Sequence, residues 1–363
     1  MVIFTSVCLN YIHKARTLAE SVKLNIPDAT FVVCLLEREA PVKKMSTYFD
    51  LVVLAKGGWE GNFNQFIFKH TIVEASTSVK GQFFRYLYNL YPEENKFIYL
   101  DPDIYVYSDF SELRMLLENR PIILCPHLLE PGNIDMELSS TAHGVYNLGF
   151  LAVNRSIEAK KFIDWWAERL YMFCYEDISK GIFTDQKWIE LAPCFFDVEI
   201  LKHRGYDFAT WSLLNCNMEE INGQVYVKGA PLRFIHYSGY GEVLDKCIRE
   251  WLPDGDHPFK RLYKQYSAIH DANDFDGISK TRWSYGTYLS GEKIWDRARR
   301  VYRSDNNLML STDDPFNKNN RYFIRKSKLY KLSSNYAKAK NIIRTKGFRK
   351  FCKMIWKKIS HCK

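Results

Sequence analysis

No run of about eighteen apolar residues occurs anywhere in the 363-residue sequence, so no segment is long enough to span a bilayer as a helix. No C-x-x-C pair occurs among the nine cysteines, whose number is odd, and no closely spaced Cys/His set is present. A zinc site is therefore not expected, and the thiols read as reduced, mostly small core residues of a cytoplasmic chain. The first residues, Met1 to Val7, lack the basic region of an export signal and read as a first strand. No Asp or Glu follows Asp314, whereas sixteen of the 51 Lys and Arg residues lie from Lys318 to Lys363. That leaves 35 basic against 42 acidic residues before them, so the formal net charge of +9 conceals a body of −7 carrying a strongly basic tail. Apolar and aromatic residues are plentiful, at 47% and 15%. A sizeable core is available, disorder is excluded for most of the chain, and the length suits one large α/β domain with an appendage, or two domains.

Residues 2–8, 31–36 and 51–54 are short apolar runs that read as buried strands, with a helical spacing over 14–24. Strand, helix, strand, helix, strand is the opening of a doubly wound, mostly parallel sheet. Residues 65–90 predict a long helical stretch broken near Ser76–Ser78. Helices are expected over 109–119, 156–173 and 186–192, the last capped by Thr184 or Asp185. Strands are expected over 122–125, 146–154, 195–201, 224–228 and 232–241. Residues 130–141 read as a polar loop and 242–316 as a mixed, helical region. The expected organisation is 1–241, 242–316 packed on it, and a tail over 317–363.

The stretch Phe97-Ile98-Tyr99-Leu100-Asp101-Pro102-Asp103-Ile104-Tyr105-Val106 sets two acids inside an apolar, aromatic strand. An unpaired buried carboxylate is costly, so something cationic must meet them. If the chain stays extended, Asp101 and Asp103 point to one side. Pro102 suits a strand end, since it removes a donor. Two hard oxygen ligands at the carboxyl end of a strand suit a divalent cation that keeps open positions for a diphosphate. In an open sheet, ligands bind beyond those strand ends. The competing reading is a helix cap and a solvated loop acid.

Further blocks follow in order. Ser76-Thr77-Ser78-Val79-Lys80, with Arg85, precedes the Asp pair; Tyr146-Asn147-Leu148-Gly149-Phe150, Thr184-Asp185-Gln186 and Ile235-His236-Tyr237-Ser238-Gly239 follow it. Together these resemble the GT-A fold glycosyltransferases, a Rossmann-like nucleotide-sugar transferase fold, and most of all the retaining, metal-dependent family-8 type and its bacterial surface-polysaccharide (capsule and lipopolysaccharide) relatives. The resemblance runs from about residue 2 to about residue 316. It implies that Asp101, Asp103 and His236 hold the metal and that Lys80 and Arg85 approach the donor. It also implies that Asn147 and Gly149 line the donor sugar pocket and that Asp185 and Gln186 lie beside the reacting carbon. Pro102, Ser238 and Gly239 fall within the same blocks, and Thr5 and Ser6, at the end of the first strand, are candidate nucleoside contacts. The family pattern continues after its H-x-x-G block into a diphosphate-binding Lys-Pro-Trp. Here the continuation is Tyr240-Gly241-Glu242-Val243, and Lys246, Arg249 or a tail residue is left to replace the lysine.

What the resemblance implies is transfer of a sugar from a nucleotide-sugar donor, a UDP-sugar, to a lipid-linked or surface glycan with retention of anomeric configuration. Two carboxylates and one imidazole suit Mn²⁺ or Mg²⁺ better than Zn²⁺, and Mn²⁺ best because imidazole is a poor partner for Mg²⁺. The ring cation is met either by a carboxylate nucleophile or by an acceptor hydroxyl attacking on the leaving-group face, with Asp185 and Gln186 as the residues at that place. An inverting transferase on the same scaffold would instead need a general base, with Asp185, Asp135 or Glu137 available. A third reading is a non-catalytic membrane adaptor. In the tail, Phe348, Phe351, Cys352, Ile355, Ile359 and Cys362 form one helical stripe among lysines and arginines. Residues 318–363 thus read as a helix lying on anionic lipid, placing the chain peripherally on the inner face of the cytoplasmic membrane. Nucleic acid is not an expected partner, because the body is acidic and no zinc-finger or RNA-binding motif occurs.

Overall fold

In the computed structural model of the chain, residues 1–41, 45–214 and 216–317 are described. The basic segment from Lys318 onward, with its expected amphipathic helix, lies outside the described residues. The chain divides into two compact units, one of residues 1–63 and 72–285 and a second whose described part is 64–71 and 286–317.

The first unit is mixed α/β. Its first half contains β1 (Val2–Val7), α1 (Ile12–Asn25), β2 (Thr30–Leu35) and β3 (Leu51–Leu54). After α2 (Phe63–Phe68) come α3 (Ile72–Ser78), α4 (Lys80–Leu90), β4 (Lys96–Leu100), β5 (Ile104–Val106), α5 (Ser111–Asn119), β6 (Ile122–Leu124), α6 (Ile134–His143), β7 (Phe150–Asn154) and α7 (Ile157–Phe173). The remainder holds the two-residue strands β8 (Glu176–Asp177) and β9 (Ile182–Phe183), then α8 (Ala192–Phe195) and β10 (Val198–Ile200). Five further strands follow, β11 (Phe208–Ala209), β12 (Met218–Ile221), β13 (Gln224–Val227), β14 (Ala230–Pro231) and β15 (Phe234–His236), and then α9 (Glu242–Trp251) and α10 (Pro258–Ala272).

Seven strands build the central sheet in the order β10-β6-β7-β4-β1-β2-β3. All run parallel except β7, which is antiparallel to both neighbours. Helices cover this sheet, so its inner strands are buried and mostly apolar; every residue of β1 and of β7 is buried, whereas the edge strands β3 and β10 are half-buried. β1 is the strand at which the winding reverses. β2 pairs on one of its edges and β4 on the other, so the carboxyl ends of β1 and β4 flank a crevice of the kind that ligands occupy in doubly wound sheets.

A second sheet carries the rest of the site. β15 lies between β11 and β5, pairing Ala209 with His236 on one edge and His236 with Ile104 on the other. The backbone N–H of Tyr237 donates to the carbonyl of Asp103 at 2.9 Å. This pairing brings a histidine from far down the chain beside the end of β4. Helices α9 and α10 pack on the same sheet, with Leu244, Phe259 and Tyr266 in one apolar cluster with Phe208, Ile235 and Tyr237. The boundary expected at 241 therefore does not coincide with a break between compact units, which falls after Tyr285. The second unit holds the helices α11 (Asp296–Arg303) and α12 (Asn306–Leu310), and its Phe68 ring meets those of Tyr302 and Phe316.

Several local expectations change. Residues 134–143 form helix α6 where a loop was expected, because Asn133 caps it by accepting from the Met136 N–H at 2.9 Å. Among the described residues no helix separates β2 from β3. The strand expected over 146–154 is confined to β7, and the helix expected over 186–192 is a 3₁₀ turn, Lys187–Leu191, running into α8. The seven cysteines in the described residues are all free, and no helix there is long and apolar enough to cross a membrane.

Close helix packing fixes α4, which carries Lys80. A Cβ at Gly81 would lie 2.7 Å from the Ala167 Cα on α7. Alanine is the better helix former by about 1 kcal/mol, but overpacking costs about 1–3 kcal/mol. Gly81→Ala should therefore lower stability in urea denaturation; a gain would show that α4 and α7 separate freely.

Candidate active site

The two acids at the end of β4 do not lie on an extended strand. The chain turns there, with the Ile104 N–H donating to the Asp101 carbonyl at 3.1 Å, and returns as β5. The turn still brings the carboxylates together, and β15 adds His236. One ligand atom from each of Asp101, Asp103 and His236 lies within 4.8 Å of the others. His236 Nε2 is 3.2 Å from Asp103 and 3.9 Å from Asp101. The histidine is buried and both acids are partly open to solvent, which leaves an approach for a further ligand. Two carboxylates and an imidazole that converge on one point fit a divalent cation.

Each ligand is held from behind. The Asp101 N–H donates to the Gly149 carbonyl at 2.8 Å, and Tyr99 donates its hydroxyl to the Asp101 carboxylate at 2.6 Å. The buried Lys80 ammonium lies 3.6 Å from Asp101 and 2.7 Å from Asp185, and donates to the Leu148 carbonyl at 2.8 Å. Burial works against the charge on Lys80, but Asp101 and Asp185 more than offset it and raise its pKa. At Asp185 burial dominates and raises the pKa against the pull of Lys80. We take the pair as ionised, since Lys80 has two carboxylates about it. At Asp103 burial is outweighed by His236, by its hydrogen bond and by Lys14, whose Nζ is 3.8 Å away; the carboxyl is held well below the usual range. Burial likewise opposes charge on His236, yet Asp103 and Asp207 push it up to about 10. Gly149 is the floor under this ring, because a Cβ there would lie 2.5 Å from His236 Cε1.

The remaining expected residues are distributed as follows. Ser6 and Pro102 line a cavity of about 370 Å³ together with Tyr11, Thr77, Asp101 and Asp103. Thr5 is buried in β1 and is absent from that lining. Asn147 accepts the Gly149 N–H at 2.6 Å. Gln186 spends its amide on backbone, accepting from Leu148 N–H at 3.1 Å and donating to the His143 carbonyl at 3.0 Å. Thr184 adopts φ +45°, rare for a β-branched residue, and turns Asp185 inward to Lys80; neither caps the following turn. Ser238 and Gly239 line a second cavity, about 470 Å³, with His127, Asp135, Trp211 and Trp251. Arg85 is not drawn to the cluster by any of these contacts. Its guanidinium pairs with Asp164 at 2.7 Å and with Gln82. Lys246 faces Glu250 at 3.8 Å on the exposed side of α9, and Arg249 is exposed. Lys14 and Asp207 escaped the sequence reading. Asp207 had a usable signal, an acid set between Tyr206 and Phe208 in an apolar run, the same signal that marked Asp101.

No family model matches the chain. Two curated proteins of Bacillus subtilis (strain 168), the uncharacterized YfnD and YfnF, are each 27% identical to it, over 180 and 183 residues. Each match covers 48% of this chain, and 57% and 59% of YfnD and YfnF respectively, so the chain spans less than two thirds of the curated relatives it matches. Among solved structures, the galactosyltransferase LgtC in complex with donor and acceptor sugar analogs is similar at 15% identity and a TM-score of 0.45, over 77% of this chain and 100% of LgtC.

Replacing Lys80 leaves two buried or half-buried carboxylates without their shared cation. Lys80→Met should destabilise by about 3–5 kcal/mol, and adding Asp185→Leu should restore part of the loss. Urea denaturation of the single and double variants measures both. A neutral Lys80→Met would mean the ion pair does not hold α4 to the site.

Proposed function

We propose that this chain is a metal-dependent glycosyltransferase that moves a sugar from a nucleotide-sugar donor, a UDP-sugar, to a lipid-linked or surface glycan. The observation that carries the reading is the convergence of Asp101, Asp103 and His236 at the reversal point of the sheet, facing a cavity large enough for a nucleoside. Asp101, Asp103 and His236 would hold the ion, and Mn²⁺ suits this donor set. When bound, a divalent ion supplies charge stabilisation to the departing diphosphate.

The chain's own residues supply the rest. Lys80 holds the Asp101 carboxylate in place, and Asp185 keeps Lys80 in place. Lys14, beside Asp103 and 4.6 Å from the Tyr11 ring centroid, takes the diphosphate role for which Lys246 and Arg249 are badly placed. Asn147 holds the Gly149 backbone at the site, and that backbone and the Gln186-braced Leu148 form one wall of the sugar pocket. The second cavity, with Trp211, Trp251 and Ser238, receives the glycan acceptor.

The occupied carboxylates support retention as the first reading. Asp185 has one oxygen on Lys80 and the other on the Thr184 hydroxyl, and Glu137 accepts the Gly132 N–H, so neither is placed as a free base. The acceptor hydroxyl then attacks on the leaving-group face. Asp135 favours the second reading, inversion, since it lines the acceptor cavity and can take a proton. The anomeric configuration of the product by NMR decides: retention is expected, and an inverted product would make Asp135 the base. The basic segment 318–363 seats the protein on anionic lipid, as its sixteen cations and lack of acids support.

A screen of nucleotide sugars with Mn²⁺, read by release of the nucleoside diphosphate, tests the reading. Wild type should turn over only with the ion, and Asp103→Ala should lose at least about 100-fold. Lys14→Met should weaken nucleoside diphosphate binding by about tenfold, with a shallower salt dependence. Undiminished turnover in Asp103→Ala would remove the metal from the account.

A further inference from the structure

Asp207 is a buried carboxylate that nothing in the catalytic scheme uses. Its side chain is 2% exposed, and neither of its oxygens has a hydrogen-bond partner among the described residues. A buried carboxylate without partners is costly and calls for an explanation. Its backbone adopts φ +50°, the left-handed region, immediately before β11. That conformation is held by the pairing of Phe208 with Ile235 and of Ala209 with His236 on the neighbouring strand. The same pairing sets the carboxylate behind His236: Asp207 Oδ1 lies 3.6 Å from His236 Nδ1, which is itself buried and without a hydrogen-bond partner. The two orphaned atoms face each other, on the side of the ring opposite to Asp101 and Asp103. The ring has little freedom to turn away, with Gly149 beneath it and the Trp211 ring edge-on at 5.9 Å.

We propose that Asp207 is a positioning residue that holds the proton of His236 on Nδ1, so that Nε2 presents its lone pair to the cation between Asp101 and Asp103. An imidazole offers one nitrogen to a metal, and the other nitrogen settles which tautomer is present and how the ring is oriented. A carboxylate at Nδ1 accepts that proton's hydrogen bond and makes Nε2 a better donor to the ion. It also accounts for the energetic oddity of Asp207, since the carboxylate acquires its partner through the ligand it orients. Asp207 also lines a cavity of about 60 Å³ with Cys125 and His127, where water can meet its second oxygen.

This inference rests on the reading of Asp101, Asp103 and His236 as an ion site, so the experiment separates the two. Mn²⁺ affinity is measured by titration with electron paramagnetic resonance for wild type, Asp207→Asn and Asp207→Ala, with circular dichroism to confirm folding. Wild type should bind one ion per chain. Asp207→Ala should bind about 10–100-fold more weakly, with Asp207→Asn between the two. The wild-type protein alone gives a second readout, histidine ¹⁵N chemical shifts in the ¹¹³Cd²⁺-loaded state. These should show His236 protonated at Nδ1 and cadmium-coupled at Nε2, a pattern that a merely structural Asp207 does not dictate, and they decide the matter if neither variant folds. Variants that bind within twofold of wild type, or a ring coupled to the ion through Nδ1, overturn the role of Asp207 while leaving the ion site standing. Failure of wild type to bind Mn²⁺ overturns both.

Discussion

Negative charge gathers at the end of β4 and must be matched by positive charge, because a carboxylate removed from water without a partner costs more than a domain of this size can spare. Asp101, Asp103, Asp185 and Asp207 all lie in or against one site, and Lys80, Lys14 and the His236 imidazole are the side chains that face them. Lys80 serves two of the acids at once. His236 stands between Asp103 and Asp207. Lys14 is the loosest of the three, at 3.8 Å from Asp103. With His236 neutral as a metal ligand, a divalent cation among Asp101, Asp103 and His236 would match the two negative charges that Lys80 and Lys14 leave.

The fold delivers these groups through two separate sheets. The central sheet presents Asp101 where the strand order reverses, and the small β11-β15-β5 sheet carries His236 to it through backbone pairing with Ile104. The link between the two sheets is the tight turn from β4 to β5, which contains both acids. A one-residue slip of β15 on β5 would send His236 to the opposite face, since strand side chains alternate. The register is therefore part of the site. So is the absence of a side chain at Gly149, which lets β7 pass close beneath the ring.

How much of this was legible beforehand depended on the kind of signal. Apolar runs such as Phe31–Leu36 and Phe97–Leu100 marked the central sheet well, because strands buried on both faces carry few polar residues to confuse the pattern. The Asp101–Asp103 pair stood out because charge in such a run needs a reason. Other features depended on tertiary contacts and were hidden. Residues 134–143 looked like a loop because the helix has no buried face, and its existence rests on the Asn133 cap. Asp185 looked like a helix cap because a cap and a buried ion-pair partner have the same local sequence, and only the position of Lys80 separates them. The family resemblance put Arg85 near the donor, and here its guanidinium pairs with Asp164 on α7. Lys14 became visible only once α1 was set beside the turn.

The central claim is that one divalent ion sits between Asp101, Asp103 and His236. Crystals of the full chain grown with Mn²⁺ and a nucleoside diphosphate, measured at a wavelength that reveals manganese by anomalous scattering, test it directly. The account predicts a single strong peak in bonding contact with all three side chains and with the diphosphate. A peak elsewhere, or none while the nucleotide is clearly bound, would contradict it.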